Sequence, residues 1–139
     1  MPGRVLVVED NDMHMQLVSD LLTLHGFNVL RAATGARALV LAEECSPDLI
    51  LMDISLKGMN GLEVTRMLKQ NPNTAAIPVV ALTAYAMQHD RVQAAEAGCA
   101  GFITKPFDTR TFPALITSFM QKGGSDGGRE HGESAGCRR

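Results

Sequence analysis

Short apolar runs alternate with longer helical repeats over most of this chain. Five runs of four to eight residues are rich in Val, Ile and Leu and are bounded by turn-forming residues, which predicts strands. The third run is apolar on both faces, as expected of a central strand in a parallel sheet. The predicted strands are VLVV (5–8), FNVLRA (27–32), DLILMD (48–53), IPVVALTA (77–84) and GFITK (101–105).

A helical period of apolar residues follows each predicted strand. Asn11 or Asp12, Thr34 and Asn60 are natural caps, and Gly26 is a natural stop for the first helix. The predicted helices cover 12–25, 34–45, a segment from 60, about 87–97 and a segment from about 111. The residues expected to face the core are Leu17, Val18, Leu21, Leu22 and Leu24 in the first helix, Val64, Met67 and Leu68 in the third, and Phe112, Leu115, Ile116 and Phe119 in the last.

This alternation predicts an α/β fold, an open, doubly wound, five-stranded parallel sheet with helices on both faces. Residues 1–122 are expected to form the domain. The remaining segment, 123–139, reads GGSDGGREHGESAGCRR and has almost no apolar side chain. It cannot repay the entropy of ordering, so we expect it to be disordered.

Composition excludes several classes of protein. The formal net charge is −2, which gives no electrostatic basis for binding nucleic acid or a membrane surface. No apolar run approaches the roughly 20 residues of a membrane span. Cys45, Cys99 and Cys137 show no zinc-binding spacing, so we expect them to be thiols in a reducing cytoplasm.

Charged and polar residues follow the strands at their carboxyl ends, where such sheets bind ligands. Glu9 and Asp10 follow the first strand, and Asp53 ends the third. Thr83 and Lys105 end the fourth and fifth strands. If the first and third strands are neighbours, three carboxylates converge at one edge of the sheet and require a compensating cation. A lone acid after a strand could be a cap or a solvated turn, Lys105 alone could form a surface salt bridge, and Thr83 alone could be an ordinary strand-end residue.

Oxygen ligands on a rigid strand end suit a hard divalent ion, and Mg²⁺ takes one or two carboxylates while leaving room for phosphate oxygens. The sequence therefore predicts a Mg²⁺ site at Glu9, Asp10 and Asp53. A carboxylate can also accept a phosphoryl group as nucleophile, and Asp53 is the best placed because it ends the most buried strand. Lys105 and Thr83 could then bind the phosphoryl oxygens.

The motifs EDN (9–11), LMD (51–53), GxE (61–63), VVALTA (79–84) and FITKP (102–106) resemble the receiver domain of bacterial two-component response regulators over about residues 4–121. The resemblance implies the flavodoxin-like strand order 2-1-3-4-5 and a phospho-acceptor at Asp53. It also implies that the backbone carbonyl of Ser55 joins Glu9, Asp10 and Asp53 as a Mg²⁺ ligand. Thr83 and Lys105 would bind the phosphoryl group, and Thr83 and Phe102 would form the switch.

The chain departs from the family pattern at three positions. Lys57 stands where the family often has Pro, and Phe102 stands where it often has Tyr, so this switch aromatic has no hydroxyl. His14 stands where receivers beginning VEDN often carry Asn. The first difference affects the loop after the acceptor, and the second affects the switch.

By the same resemblance the partners are a histidine kinase or a histidine phosphotransfer protein, and a downstream protein bound by the face of the fourth helix, fifth strand and fifth helix. We expect a cytoplasmic monomer or weak dimer that binds neither nucleic acid nor membrane. Beyond self-phosphorylation from small donors and slow autodephosphorylation, no enzymatic turnover is expected. The start at MPGRVLVVED, with hardly any leader, favours a stand-alone regulator.

Three alternatives stay open. The chain could be a receiver domain excised from a hybrid histidine kinase. It could be a Mg²⁺-dependent phosphohydrolase with an Asp nucleophile, but Ser55 stands where the haloacid dehalogenase type has a second Asp as general acid. A flavodoxin-like electron carrier is disfavoured, because the EDND loop would repel the phosphate that such a loop must bind.

Overall fold

The chain folds into five β-strands that alternate with five α-helices in the part that the computed structural model describes, residues 3–54, 60–83, 88–104 and 109–123. The strands are β1 Arg4–Val8, β2 Asn28–Ala32, β3 Leu49–Asp53, β4 Val79–Thr83 and β5 Gly101–Thr104. The helices are α1 Asp12–Leu24, α2 Gly35–Cys45, α3 Gly61–Gln70, α4 Gln88–Ala97 and α5 Phe112–Gly123. Apart from Gly123, the predicted tail lies outside the described residues.

All strand pairs are parallel, and the sheet order is β2-β1-β3-β4-β5. This confirms the predicted doubly wound α/β architecture and its strand order. The order reverses between β1 and β3, so the two strands that carry the acidic residues are direct neighbours. The predicted ligand-binding edge and the predicted acidic edge are therefore the same edge.

Alternation along the strands divides the core between the two faces of the sheet. Val5, Val7, Leu49 and Leu51 point to the face covered by α1 and α5. The even-numbered neighbours on β1 and β3 point to the face covered by α2 and α3. α4 lies on this second face, where Ala94 and Ala97 pack against Leu62 of α3. Every residue of β3 is buried, as its apolar run predicted, and every residue of β4 is buried as well.

The helix boundaries follow the predicted caps. The side-chain oxygens of Asn11, Thr34 and Asn60 accept hydrogen bonds from backbone N–H groups in the first turn of α1, α2 and α3. Asn11, and not Asp12, is therefore the cap of α1. This helix stops at the predicted glycine, since Gly26 has a φ of 90°, which L side chains rarely adopt.

Some helix faces differ from the prediction. α1 buries a narrow stripe against the sheet, and Ser19 occupies one of its positions. A helix on a sheet covers only one such stripe, so apolar residues outside it stay exposed. The apolar residues that the prediction placed inward but that are exposed are Leu17, Leu24, Met67 and Leu115.

No helix within the described ranges is long and apolar enough to cross a membrane. Cys45 is buried in the core, and Cys99 is a free thiol. Cys137 lies outside the described residues.

Cys99 and Lys69 form a half-buried ionisable pair beside α3. Burial raises the pKa of the Cys99 thiol above its ordinary value of 9.0, although a hydrogen bond with Thr65 and the charge of Lys69 oppose the rise. Burial also lowers the pKa of the Lys69 ammonium, against a smaller opposing effect of Cys99. This ammonium donates hydrogen bonds to the carbonyl oxygens of Ala75 at 3.0 Å and Ile77 at 2.7 Å.

Cys99→Ser is expected to weaken the loss of stability at alkaline pH. The unfolded chain ionises this thiol near pH 9.0, whereas the folded chain keeps its proton to higher pH, so the free energy of unfolding falls as pH rises above 9.0. The burial of Lys69 has the opposite effect on stability, and that burial is common to both proteins. Urea unfolding across this range measures the difference between wild type and variant. A difference that does not change with pH would contradict the prediction.

Candidate functional site

Strand register places two of the acidic residues side by side. Val5 pairs with Leu49 across β1 and β3, and Val7 pairs with Leu51. The same register continued by one pair places Glu9 opposite Asp53, on the α1 and α5 face of the sheet. These two carboxylates are therefore the next members of a column of core side chains.

Glu9, Asp10 and Asp53 form a compact acidic cluster. One carboxylate oxygen from each residue lies within 4.8 Å of the other two. Glu9 and Asp53 are only 2% and 3% exposed, and Asp10 is partly exposed. Like charges at this separation and depth repel one another in a medium less polar than water. The structure thus brings together the three acids that the sequence singled out.

The turn after β1 orients Glu9. Its backbone N–H donates to the carbonyl of Ala32 at 3.0 Å, which extends the β1–β2 ladder by one bond. Its Oε2 accepts a 3.3 Å hydrogen bond from the backbone N–H of Asn11. The Nδ1 of His14 lies 3.7 Å from the same oxygen, which is longer than a hydrogen bond. One oxygen of Glu9 is therefore fixed by the backbone and faces an imidazole.

Gly61 lies against the backbone of Asp53, a contact that was not predicted from the sequence. A Cβ on Gly61 would lie 2.5 Å from the carbonyl oxygen of Asp53 and 2.7 Å from the Cα of Ile54. Both neighbours are backbone atoms, so neither can turn away. The first residue of α3 therefore has to be glycine for the end of β3 to keep its position. The GxE motif gave a hint of it, but only the fold brings residues 53 and 61 into contact.

The two predicted switch residues are on the α4 side of the sheet, and Thr83 ends its strand at the same carboxyl edge as Asp53. Thr83 ends β4 one residue after Leu82, the partner of Asp53 in the sheet, and it is 4% exposed. Phe102 pairs with Ala81 and is partly buried, so it shares the α4 side with Thr83. Two other predicted site residues, Ser55 and Lys105, lie outside the described residues.

The donor set of the cluster fits a divalent cation. It offers three carboxylates at the carboxyl edge of a parallel sheet, and hard divalent ions bind oxygen ligands of this kind. The spacing is also suitable, because two ligands of one ion at bond lengths of about 2.1 Å are at most about 4.2 Å apart, and small side-chain rotations close the remaining gap from 4.8 Å. The cluster could therefore hold a metal ion.

The fold and the acidic cluster define a class of protein. The family model of the response regulator receiver domain matches residues 5–117, and the chain belongs to this family. This confirms the resemblance seen in the sequence motifs, including its strand order. Receiver domains are signalling switches of two-component systems, and they interact with histidine kinases and phosphotransfer proteins.

Among curated proteins, the chain is similar to the polar-differentiation response regulator DivK of Brucella anthropi. The two are 43% identical over 120 residues, which cover 86% of this chain and 98% of DivK. Among solved structures, it is similar to the receiver domain of a sensor histidine kinase from Pseudomonas aeruginosa, with a TM-score of 0.79, 31% identity and coverage of 86% and 98%. That domain has a magnesium ion coordinated in its active-site cleft.

A third comparison concerns the chemotaxis protein CheY4 of Vibrio cholerae. Its structure matches with a TM-score of 0.81 at 26% identity, and the match covers 86% of this chain and 99% of CheY4. The chain is thus a DivK-like, CheY-like receiver by sequence and by fold.

Proposed function

We propose that this protein is a single-domain response regulator of the cytoplasm, phosphorylated on Asp53 by a histidine kinase or a histidine phosphotransfer protein. The observation that carries the proposal is the acidic cluster, in which Asp53 ends a fully buried strand beside Glu9 and Asp10. In the proposed site these three carboxylates and the backbone carbonyl of Ser55 hold Mg²⁺, which neutralises charge on the acids and on the incoming phosphoryl group.

The chemical step uses Asp53 as the nucleophile. A carboxylate oxygen attacks the phosphorus of a donor phosphohistidine, the P–N bond breaks, and the imidazole leaves with the bonding electron pair and takes up a proton. The product is an acyl phosphate on Asp53. In this proposal the hydroxyl of Thr83 and the ammonium of Lys105 bind the phosphoryl oxygens, while the burial of Asp53 limits access of hydrolytic water.

The switch would follow from the added charge, about −1.5 to −2 for a phosphoryl group. Thr83 moves toward it, and Phe102 turns into the space on the same side of the sheet. The small core of α4, in which Ala94 and Ala97 contact Leu62, supports a movable helix. The output face would then include exposed apolar residues of α4 and α5, Val92 and Leu115, at which a downstream protein binds.

The kinase or phosphotransfer protein that donates the phosphoryl group would dock beside the acidic cluster. Met13 and Leu17 are one turn apart on α1 and are both exposed, Met13 by 78%. Exposed apolar side chains next to a reactive carboxylate are suited to packing against a partner helix. The protein is proposed to work as a monomer or weak dimer.

A receiver domain from a hybrid histidine kinase is the second candidate, supported by the similarity to a kinase receiver at 31% identity. The similarity to DivK favours the single-domain regulator, because the two proteins are 43% identical and the match covers 98% of the length of DivK. A phosphohydrolase is disfavoured, because the position two residues after Asp53 carries Ser55 and not a second acid.

The test is uptake of one phosphoryl group from acetyl phosphate in the presence of Mg²⁺, measured by intact mass. We expect a single addition that is stable in acid, labile in base and absent when EDTA removes the ion. Repeated turnover of a phosphate ester, many times per minute, would instead identify a phosphohydrolase. No uptake in the presence of Mg²⁺ would refute the proposed function.

A further inference from the structure

His14 places a ring nitrogen beside one carboxylate of the acidic cluster, that of Glu9, although it is not among the three residues whose ligand atoms all lie within 4.8 Å of one another. It is the third residue of α1, and its backbone N–H donates to the cap oxygen of Asn11 at 3.0 Å, which fixes the start of its side chain. Its Nδ1 faces Glu9 Oε2 at 3.7 Å. The histidine side chain is 50% exposed, so the ring can rotate by a small angle without disturbing the core.

This distance is one that two ligands of the same ion can have. At metal–ligand bonds of about 2.1 Å, neighbouring ligands lie about 3.0 Å apart in an octahedron and about 3.4 Å apart in a tetrahedron. The 3.7 Å separation lies about 0.3 Å above the tetrahedral value, about 0.7 Å above the octahedral one, and below the limit of about 4.2 Å for opposite ligands.

The chemistry of the ligand decides which ions bind more tightly when a nitrogen atom is added to the site. Imidazole suits Zn²⁺, Co²⁺ and Ni²⁺, whereas Mg²⁺ prefers oxygen and gains little from a nitrogen ligand. We propose that His14 is a ligand of the cation site and shifts its preference from Mg²⁺ toward borderline transition-metal ions such as Co²⁺. The inference rests on the proposed function only in that Glu9, Asp10 and Asp53 bind a divalent ion.

The experiment compares wild type with His14→Asn, which keeps a polar side chain but removes the imidazole, and with His25→Asn as the matched control. His25 is the C-cap at the other end of α1, where its Nδ1 lies 3.0 Å from the carbonyl oxygen of Leu21. Mg²⁺ and Co²⁺ are titrated separately by calorimetry. We expect His14→Asn to reduce the preference for Co²⁺ over Mg²⁺, measured as the ratio of the two dissociation constants, at least tenfold. His25→Asn should leave that ratio unchanged.

Pulsed electron paramagnetic resonance of the Mn²⁺-loaded protein gives an independent readout. Nitrogen modulation from a bound imidazole should be present in wild type and in His25→Asn and absent in His14→Asn. A variant that weakens both ions equally, or that keeps the nitrogen modulation, would overturn the role of His14 while leaving the cation site intact. Failure of wild type to bind any of the ions would instead refute the site itself.

Discussion

Asp53→Asn is expected to take up no phosphoryl group from acetyl phosphate with Mg²⁺ present, a loss of about two orders of magnitude or more in the extent of labelling. An amide has almost the same shape as the carboxylate but is not a nucleophile. Since Asp53 lies within a fully buried strand, the isosteric replacement should leave the fold intact. Intact mass measures the labelling, and circular dichroism checks the fold.

Asp12→Asn is the matched control for this result. Asp12 is the exposed first residue of α1, close in sequence to the cluster but not part of it. It should label as wild type does, which shows that the loss comes from one carboxylate and not from a lower negative charge near the rim. Equal labelling of wild type and Asp53→Asn would place the phosphoryl group elsewhere and contradict the assignment of the acceptor.

Gly61→Ala is expected to disable the site without touching any acidic residue. The new methyl group would lie 2.5 Å from the carbonyl oxygen of Asp53, so α3 or the end of β3 has to shift. Overpacking of this kind costs about 1–3 kcal/mol of stability. A displacement of about 1 Å in a reacting group can slow a reaction about 100-fold, so we expect phosphorylation to slow at least tenfold.

Urea unfolding and the rate of labelling measure the two effects of this substitution. Gly35→Ala is the control, because Gly35 is likewise the first residue of a helix that follows a sheet strand. It should label at close to the wild-type rate. If Gly61→Ala labels as fast as Gly35→Ala, the contact between residues 61 and 53 has no role in positioning the acceptor.

Much of this fold could be predicted from the sequence because its signals are local. The apolar runs that form β3 and β4 are buried on both faces, and a short run of that kind is typical of a central strand in a parallel sheet. Asn11, Thr34 and Asn60 cap helices through bonds to residues two or three positions ahead, so neighbouring residues suffice to recognise them. The acidic cluster needed one further fact, the adjacency of β1 and β3.

Features that depend on tertiary contacts could not be predicted in this way. Leu17 and Met67 satisfy a helical apolar pattern, yet the sheet covers only part of each helix and leaves both exposed. The contact between Gly61 and Asp53 joins the end of a strand to the start of the next helix, and no pattern in the sequence encodes its distance. The position of His14 beside Glu9 depends in the same way on the angle at which α1 leaves the sheet.

The column of side chains that runs from the core to the rim has a genetic consequence. Val7 and Leu51 form the last apolar pair on that face, and Glu9 and Asp53 are the next pair in line. The positions of the two carboxylates therefore depend on the pair beneath them as well as on their own contacts with Asn11 and Gly61. A genetic screen for variants that still fold but are no longer phosphorylated should therefore recover substitutions at Val7 or Leu51.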